Sequence, residues 1–242
     1  MPQIKKLSVV IPAYNEAGRI ANTLKAVHNF LQKQAYDYEI LVVSDGSKDA
    51  TSEVVQSLGS TVKNLVFLDN KQNHGKGYVT RQGMLKATGD VRLFMDADNS
   101  TTIDQMVPML KFLDEGYEVV IGSIEVSGAK INEHAQWYRR ALGHWSKYLI
   151  RLVAGLWDIH DTQRGFKLFT GHAAQEIFSR VTIERFGFDI EVLAVAKKLG
   201  YKIKELPVVW NNAGDSKVSL KSYFGVLMDL FRVRFNLWTG KY

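Results

Sequence analysis

The 242-residue chain has no cysteine. That excludes a disulfide framework and any thiolate metal site, so a bound metal has only oxygen or imidazole ligands to use. The six histidines are scattered and never form an H-x-x-x-H pair, so no zinc site is assigned. Hard cations, magnesium or manganese, fit what remains. No uninterrupted apolar run reaches the ~18 residues that a helix needs to cross a bilayer, and the longest candidates are broken by Arg151 or Arg232. The polar lead Met1 to Lys6 runs straight into an apolar strand and Pro12, without the long apolar region of a signal peptide. The expectation is a cytosolic protein with no spanning segment. There is no internal repeat and no low-complexity linker. What is present is 46% hydrophobic content, enough for one large core with an extension.

Charge is unevenly placed. Residues 197–242 carry nine Lys or Arg against three Asp or Glu, while residues 1–196 balance at 22 of each. A basic end suits nucleic acid, an anionic membrane surface or a phosphate-bearing substrate equally, so charge alone does not choose.

Leu7 to Ile11 and Glu39 to Val43 are short β-branched runs closed by Pro12 and by Asp45-Gly46-Ser47, and read as buried parallel strands. Between them, Ile20, Leu24, Val27 and Leu31 recur at helical spacing within Glu16 to Leu31. The pattern continues with a helix from Lys48 to Leu58, a strand at Leu65 to Leu68, a helix from Tyr78 to Thr88 and a strand at Val91 to Met95. This alternation predicts an α/β fold with a doubly wound, mostly parallel sheet. Beyond Ile121 come a Trp- and Arg-rich helical stretch, a loop from Asp161 to Lys167, further helices and a last strand near Ile203 to Val209. A boundary near Gly214 divides a domain of residues 1–213 from a basic amphipathic helical extension, 214–242.

In such a sheet ligands bind beyond the carboxyl ends of the strands, where this chain is polar. Asp96 and Asp98, in Met95-Asp96-Ala97-Asp98, can turn two carboxylates to one cation if the segment stays extended. An Asx-turn or helix cap using Thr101-Thr102 is the other reading of the same residues. Asn73-His74-Gly75-Lys76-Gly77 with Arg81 offers close backbone approach and two cations to a diphosphate, or else a turn capping a helix. Tyr14 could stack on a base and Asp45 accept from its imide; Asp45 also suits a type I turn with Gly46.

Together VVIPAYNE, VVSDGSKDAT, NHGKG with Arg81, and MDADNST resemble the family 2 inverting glycosyltransferases, over almost the whole chain. DTQRGFKLF, ERFGFDIEVL and Gly214-Asp215-Ser216-Lys217 are similar to the branch that glycosylates dolichyl or another polyprenyl phosphate, nearest the dolichyl-phosphate β-glucosyltransferases. The resemblance implies a GT-A nucleotide-diphospho-sugar transferase fold, with 1–213 the catalytic domain. It implies that Pro12, Tyr14, Glu16 and Asp45 hold the nucleoside, with Ala97 beside it. Lys76 and Arg81 would lie near the diphosphate, Asp96 and Asp98 on a Mg2+ or Mn2+ ion, and Lys217 near either phosphate. The chain departs from the family at Ser44, where an acid is usual, and at Ile124, where many relatives carry an arginine near the acceptor phosphate.

Candidates for that missing arginine lie on a helical face on which Arg140, Lys147 and Arg151 fall within about 40°, beside Trp137, Trp145 and Tyr148; Arg164 and Lys217 are also expected at the acceptor phosphate. Phe224, Leu227, Met228, Phe231, Phe235 and Trp238 form an apolar stripe with Lys221, Arg232 and Arg234 available to anionic lipid; a dimer contact or core packing would use the same stripe. Asp189 is the candidate general base for an alcohol acceptor, or else positions Arg164 or the sugar. A phosphate acceptor needs no strong base. The expected reaction moves a hexose, glucose from UDP-glucose, onto a polyprenyl phosphate at the cytosolic membrane face by a peripherally bound enzyme. GDP-mannose as donor, or a soluble or polysaccharide acceptor, are the alternatives. A non-catalytic nucleotide- or nucleic-acid-binding module is disfavoured, because Asp96 and Asp98 would repel phosphate without a metal.

Overall fold

The computed structural model describes residues 4–132, 148–211 and 220–242, with side chains for all but 132 and 220–224. Its strands are β1 Lys6–Ala13, β2 Asp37–Asp45, β3 Leu65–Asn70, β4 Val91–Met95, β5 Val119–Ser123, β6 Lys130–Asn132, β7 Phe166–Thr170, β8 Ile203–Pro207 and β9 Val209–Asn211. Its helices are α1 Ile20–Leu31, α2 Thr51–Ser57, α3 Lys76–Lys86, α4 Val107–Asp114, α5 Gly171–Arg180, α6 Phe188–Lys198 and α7 Leu220–Trp238. Seven strands make one sheet in the order β3-β2-β1-β4-β7-β5-β8, and β6 pairs with β9 in a separate ribbon. β7 runs antiparallel to both neighbours, while the other pairs in the sheet are parallel.

The apolar runs of β1 and β2 are continuous because helices cover both faces of the sheet. Val9, Ile11 and Val42 point to one side, where they pack with Leu24 and Val27 of α1 and Val55 of α2. Val10 and Leu41 point to the other, among Met84 of α3, Ile177 of α5 and Leu193 of α6. Strand order reverses between β1 and β4, and the ends of the strands flanking such a switch open a crevice.

One departure from the sequence reading shapes the site. The loop expected over 161–167 stops at Gly165, and the next five residues enter the sheet between β4 and β5. Lys167 hides this strand in the sequence because it looks solvent-seeking, yet its side chain is 1% exposed against Asp189. The boundary near Gly214 lies outside the described residues, and beyond it α7 belongs to the main core: Leu230 and Val233 are buried in the cluster that contains α6. The opposite face of α7 leaves Met228, Phe231, Phe235 and Trp238 between 53% and 83% exposed. Among the described residues no helix is long and apolar enough to cross a membrane.

Candidate active site

At the carboxyl ends of β1, β2 and β4 lies a cleft of about 720 Å³. Of the residues singled out in the sequence, Pro12, Tyr14, Glu16, Asp45, Lys76, Asp96, Ala97 and Asp98 line it. Each arrives from a strand end or the start of a helix, so the sheet fixes their spacing. Asn15 adopts φ +52° just after β1, and the Glu16 carbonyl then accepts from the backbone of Arg19 and Ile20. That turn delays α1 to Ile20 and leaves Tyr14 and Glu16 at the cleft; Glu16 also pairs with Arg19.

Asp96 and Asp98 reach the cleft by a different route from the one expected. The strand ends at Met95, so pleat alternation no longer applies, and a turn with Asn99 at φ +55° carries both acids round. Asp98 Oδ1 accepts from Ser100 N at 2.9 Å, which is the Asx-turn; here the turn and the acidic pair are one device. Asp96 N donates to the Gly165 carbonyl at 3.0 Å, and Thr23 Oγ1 donates to the Ala97 carbonyl at 2.7 Å. A Cβ at Gly165 would collide with the Asp96 carboxylate. Gly165→Ala is therefore expected to push that carboxylate aside and lower kcat about 10²-fold with little change in melting temperature, the size of effect a shift of ~1 Å produces; a turnover assay beside a thermal melt checks it.

Lys76 opens α3 with its Nζ 2.6 Å from Asp96 Oδ1. Burial disfavours its charge, but Asp96, Asp189 and Asp98 outweigh that and hold its pKa above the usual lysine value. Gly75, at φ +119°, lets the preceding loop run against the Glu184 carbonyl, where any Cβ would clash. Asp45 secures the same loop: it accepts from Asn73 Nδ2 at 2.8 Å, His74 N at 2.7 Å and Gly75 N at 2.9 Å. Burial pushes the Asp45 carboxyl up despite those donors. A carboxylate has about four acceptor positions, so Asp45 is largely committed to the loop, with little capacity left for a base imide.

Arg81 is not in the cleft lining: its Nε donates to the Phe178 carbonyl at 2.9 Å, because five residues beyond Lys76 is about 140° round the helix. Asp189 is 4% exposed, sits outside the cleft lining and holds Lys167 Nζ at 2.5 Å, so it is misplaced for a base acting on an acceptor. Burial raises its pKa, against the pull of Lys167 and Lys76. The same Lys167 ammonium donates to the Arg164 carbonyl at 2.5 Å. Arg164 lies 4.8 Å from the Trp210 ring and 3.4 Å from Asp161 Oδ2, which also accepts from Ile124 N at 3.2 Å. The guanidinium and the Ile124 backbone thus share one carboxylate oxygen. Arg151 turns away to the His160 carbonyl at 3.1 Å. Arg140, Lys147, Trp137, Trp145 and Lys217 lie outside the described residues.

The sequence reading missed Lys167, Gly165, Arg185 and Phe186. The last two line the cleft, and the signal was a cation set among aromatics and glycine in Glu184-Arg185-Phe186-Gly187. Among the described residues no group of three or more His, Asp or Glu could hold a metal. Two hard oxygen donors still fit Mg2+ or Mn2+, which often take one or two carboxylates plus substrate phosphates and water.

The mostly parallel sheet, with an acidic pair and a helix-borne lysine at its switch point, is that of the GT-A fold, and the family and relatives that the chain matches make it a nucleotide-sugar-dependent glycosyltransferase. Residues 8–178 match the model of glycosyl transferase family 2, and the chain belongs to that family. It is 34% identical to a dolichyl-phosphate beta-glucosyltransferase of Trichomonas vaginalis, over 98% of this chain and 76% of that protein. It is 32% identical to the Homo sapiens dolichyl-phosphate beta-glucosyltransferase, over 98% and 77%. Among solved structures, glucosyl-3-phosphoglycerate synthase from Mycobacterium tuberculosis, in complex with Mn2+, UDP-glucose and phosphoglyceric acid, superposes with a TM-score of 0.70 at 17% identity, covering 96% of this chain and 79% of that one.

Proposed function

We propose that this enzyme transfers glucose from UDP-glucose, with inversion, to dolichyl or a related polyprenyl phosphate at the cytosolic face of a membrane. The observation that carries this is the cleft itself: Asp96, Asp98 and Lys76 meet where a donor diphosphate would lie, and the relatives sharing most of the chain's length are dolichyl-phosphate glucosyltransferases. Asp96 and Asp98 would hold a divalent cation, which when bound neutralises the departing diphosphate. Lys76 adds a second positive charge there, and Tyr14, Pro12 and Glu16 bound the nucleoside end. Arg185 takes the place in the cleft that Arg81 does not occupy.

On the acceptor side Arg164, stacked on Trp210 and steadied by Asp161, would orient the lipid phosphate for in-line attack. A phosphomonoester is mostly dianionic above a second pKa of about 6, so its oxygen attacks without a general base, in keeping with the engagement of Asp189 by Lys167. The test is purified protein with a panel of radiolabelled UDP- and GDP-sugars and dolichyl phosphate, with and without Mn2+. Label entering the organic phase from UDP-glucose is expected; label in a water-soluble product, or from GDP-mannose instead, would overturn the acceptor or the donor.

The exposed face of α7 supports membrane contact. At 100° per residue Met228, Phe231, Phe235 and Trp238 span an arc of about 80°, and Arg232 and Arg234 fall about 40° beyond its two edges. Apolar side chains between flanking cations suit a helix lying in an anionic lipid interface. Phe235→Glu combined with Trp238→Glu is expected to weaken co-flotation with phosphatidylserine vesicles at least about tenfold, with the soluble fold retained; undiminished flotation would rule this face out.

A further inference from the structure

We propose that Lys76 and the divalent cation compete for one carboxylate: the ammonium neutralises Asp96 in the nucleotide-free protein and passes to the diphosphate when cation and nucleotide enter together. This rests on the metal-dependent reading above and says how that site is controlled. The Lys76–Asp96 pair is 2.6 Å apart with side chains 25% and 35% exposed, so it faces the cleft and either member can exchange partners. The neighbouring acid is partly committed as well, with Asp98 Oδ1 on Ser100 N at 2.9 Å. No third metal-ligating side chain stands by among the described residues, so a six-coordinate cation must draw most of its oxygens from water and phosphate. A cation arriving alone therefore meets two carboxylates, one already neutralised, and has to displace an ammonium from its hydrogen-bonded partner.

A diphosphate changes that balance. It brings oxygens for the cation and a new anionic partner for Lys76, whose four-carbon stem and freely rotating donors let the ammonium move without the helix moving. Lys76 begins α3, directly after the Gly75 loop that lines the cleft, so the new partner lies within its swing. Cation and nucleotide must then each raise the other's affinity by the same factor.

The experiment measures Mn2+ binding by the free-ion electron paramagnetic resonance signal, on full-length protein with and without saturating UDP. Lys76→Met is expected to bind Mn2+ at least about tenfold more tightly than wild type without nucleotide, and to lose most of the mutual enhancement with UDP. Arg185→Met removes a cleft charge that contacts neither Asp96 nor Asp98 among the described residues; it should leave nucleotide-free Mn2+ affinity within about twofold. Lys76→Gln provides a second neutral variant, and thermal melts confirm that each is folded. Equal or weaker Mn2+ binding in both Lys76 variants, undetectable binding in all the nucleotide-free proteins, or equal tightening in Arg185→Met would overturn the competition. Failure of wild type to take up Mn2+ even with UDP is a separate result, and sinks the metal-dependent reading itself.

Discussion

Asp96→Ala and Asp98→Ala are each expected to lower transfer from UDP-glucose by ~10³-fold or more, since a metal's charge stabilisation is worth several kcal/mol. Both side chains line the cleft and neither is part of the apolar core, so the melting temperature should move by only a few degrees. The two variants should nevertheless differ in the nucleotide-free protein. Asp96→Ala releases Lys76 from its 2.6 Å partner, whereas Asp98→Ala removes the acceptor of Ser100 N and loosens the turn. Turnover beside thermal melts checks this, and wild-type activity in either variant would remove the acidic pair from the mechanism.

Lys167→Met should cost about 3–5 kcal/mol of stability, the usual penalty for leaving one member of a buried ion pair alone. Lys167 and Asp189 are 1% and 5% exposed in their side chains, so water cannot take over the lost partner. The loss should appear as a lower urea midpoint with unchanged slope. Lys167→Met combined with Asp189→Leu should recover most of it, because two apolar groups of similar size leave no stranded charge. A single variant that loses less than about 1 kcal/mol would show that the pair is not what holds β7 against α6. The same substitution removes the donor to the Arg164 carbonyl, so the Michaelis constant for the lipid phosphate should rise in whatever fraction remains folded.

The DxD segment shows how sequence and structure divide the information. Its position after a short, largely apolar run was legible because strand ends in a parallel sheet face the ligand. Its geometry was not, since the strand stops at Met95, short of the extended residues 96–98 that the alternation argument needs, and the Asx-turn at Ser100 follows instead. Lys76 was legible as a cation in a glycine-rich loop. Arg81, five residues on, looked equivalent, but the helix turned it toward the Phe178 carbonyl. Asp189 looked like a free acid because its partner is 22 residues away in sequence, on a strand whose second residue, Lys167, disguised it as loop.

The linear chain thus determined the α/β class and the family, because strand periodicity and short motifs are local properties that survive without a partner. Only the tertiary structure decided which charges are spent on one another: Lys76 with Asp96, Lys167 with Asp189, Asp45 with the 73–75 loop, Arg164 with Asp161 and Trp210. Such pairings depend on distances between segments far apart in sequence, and at those short distances within a partly dry interior the electrostatic energy is large enough to choose each residue's role.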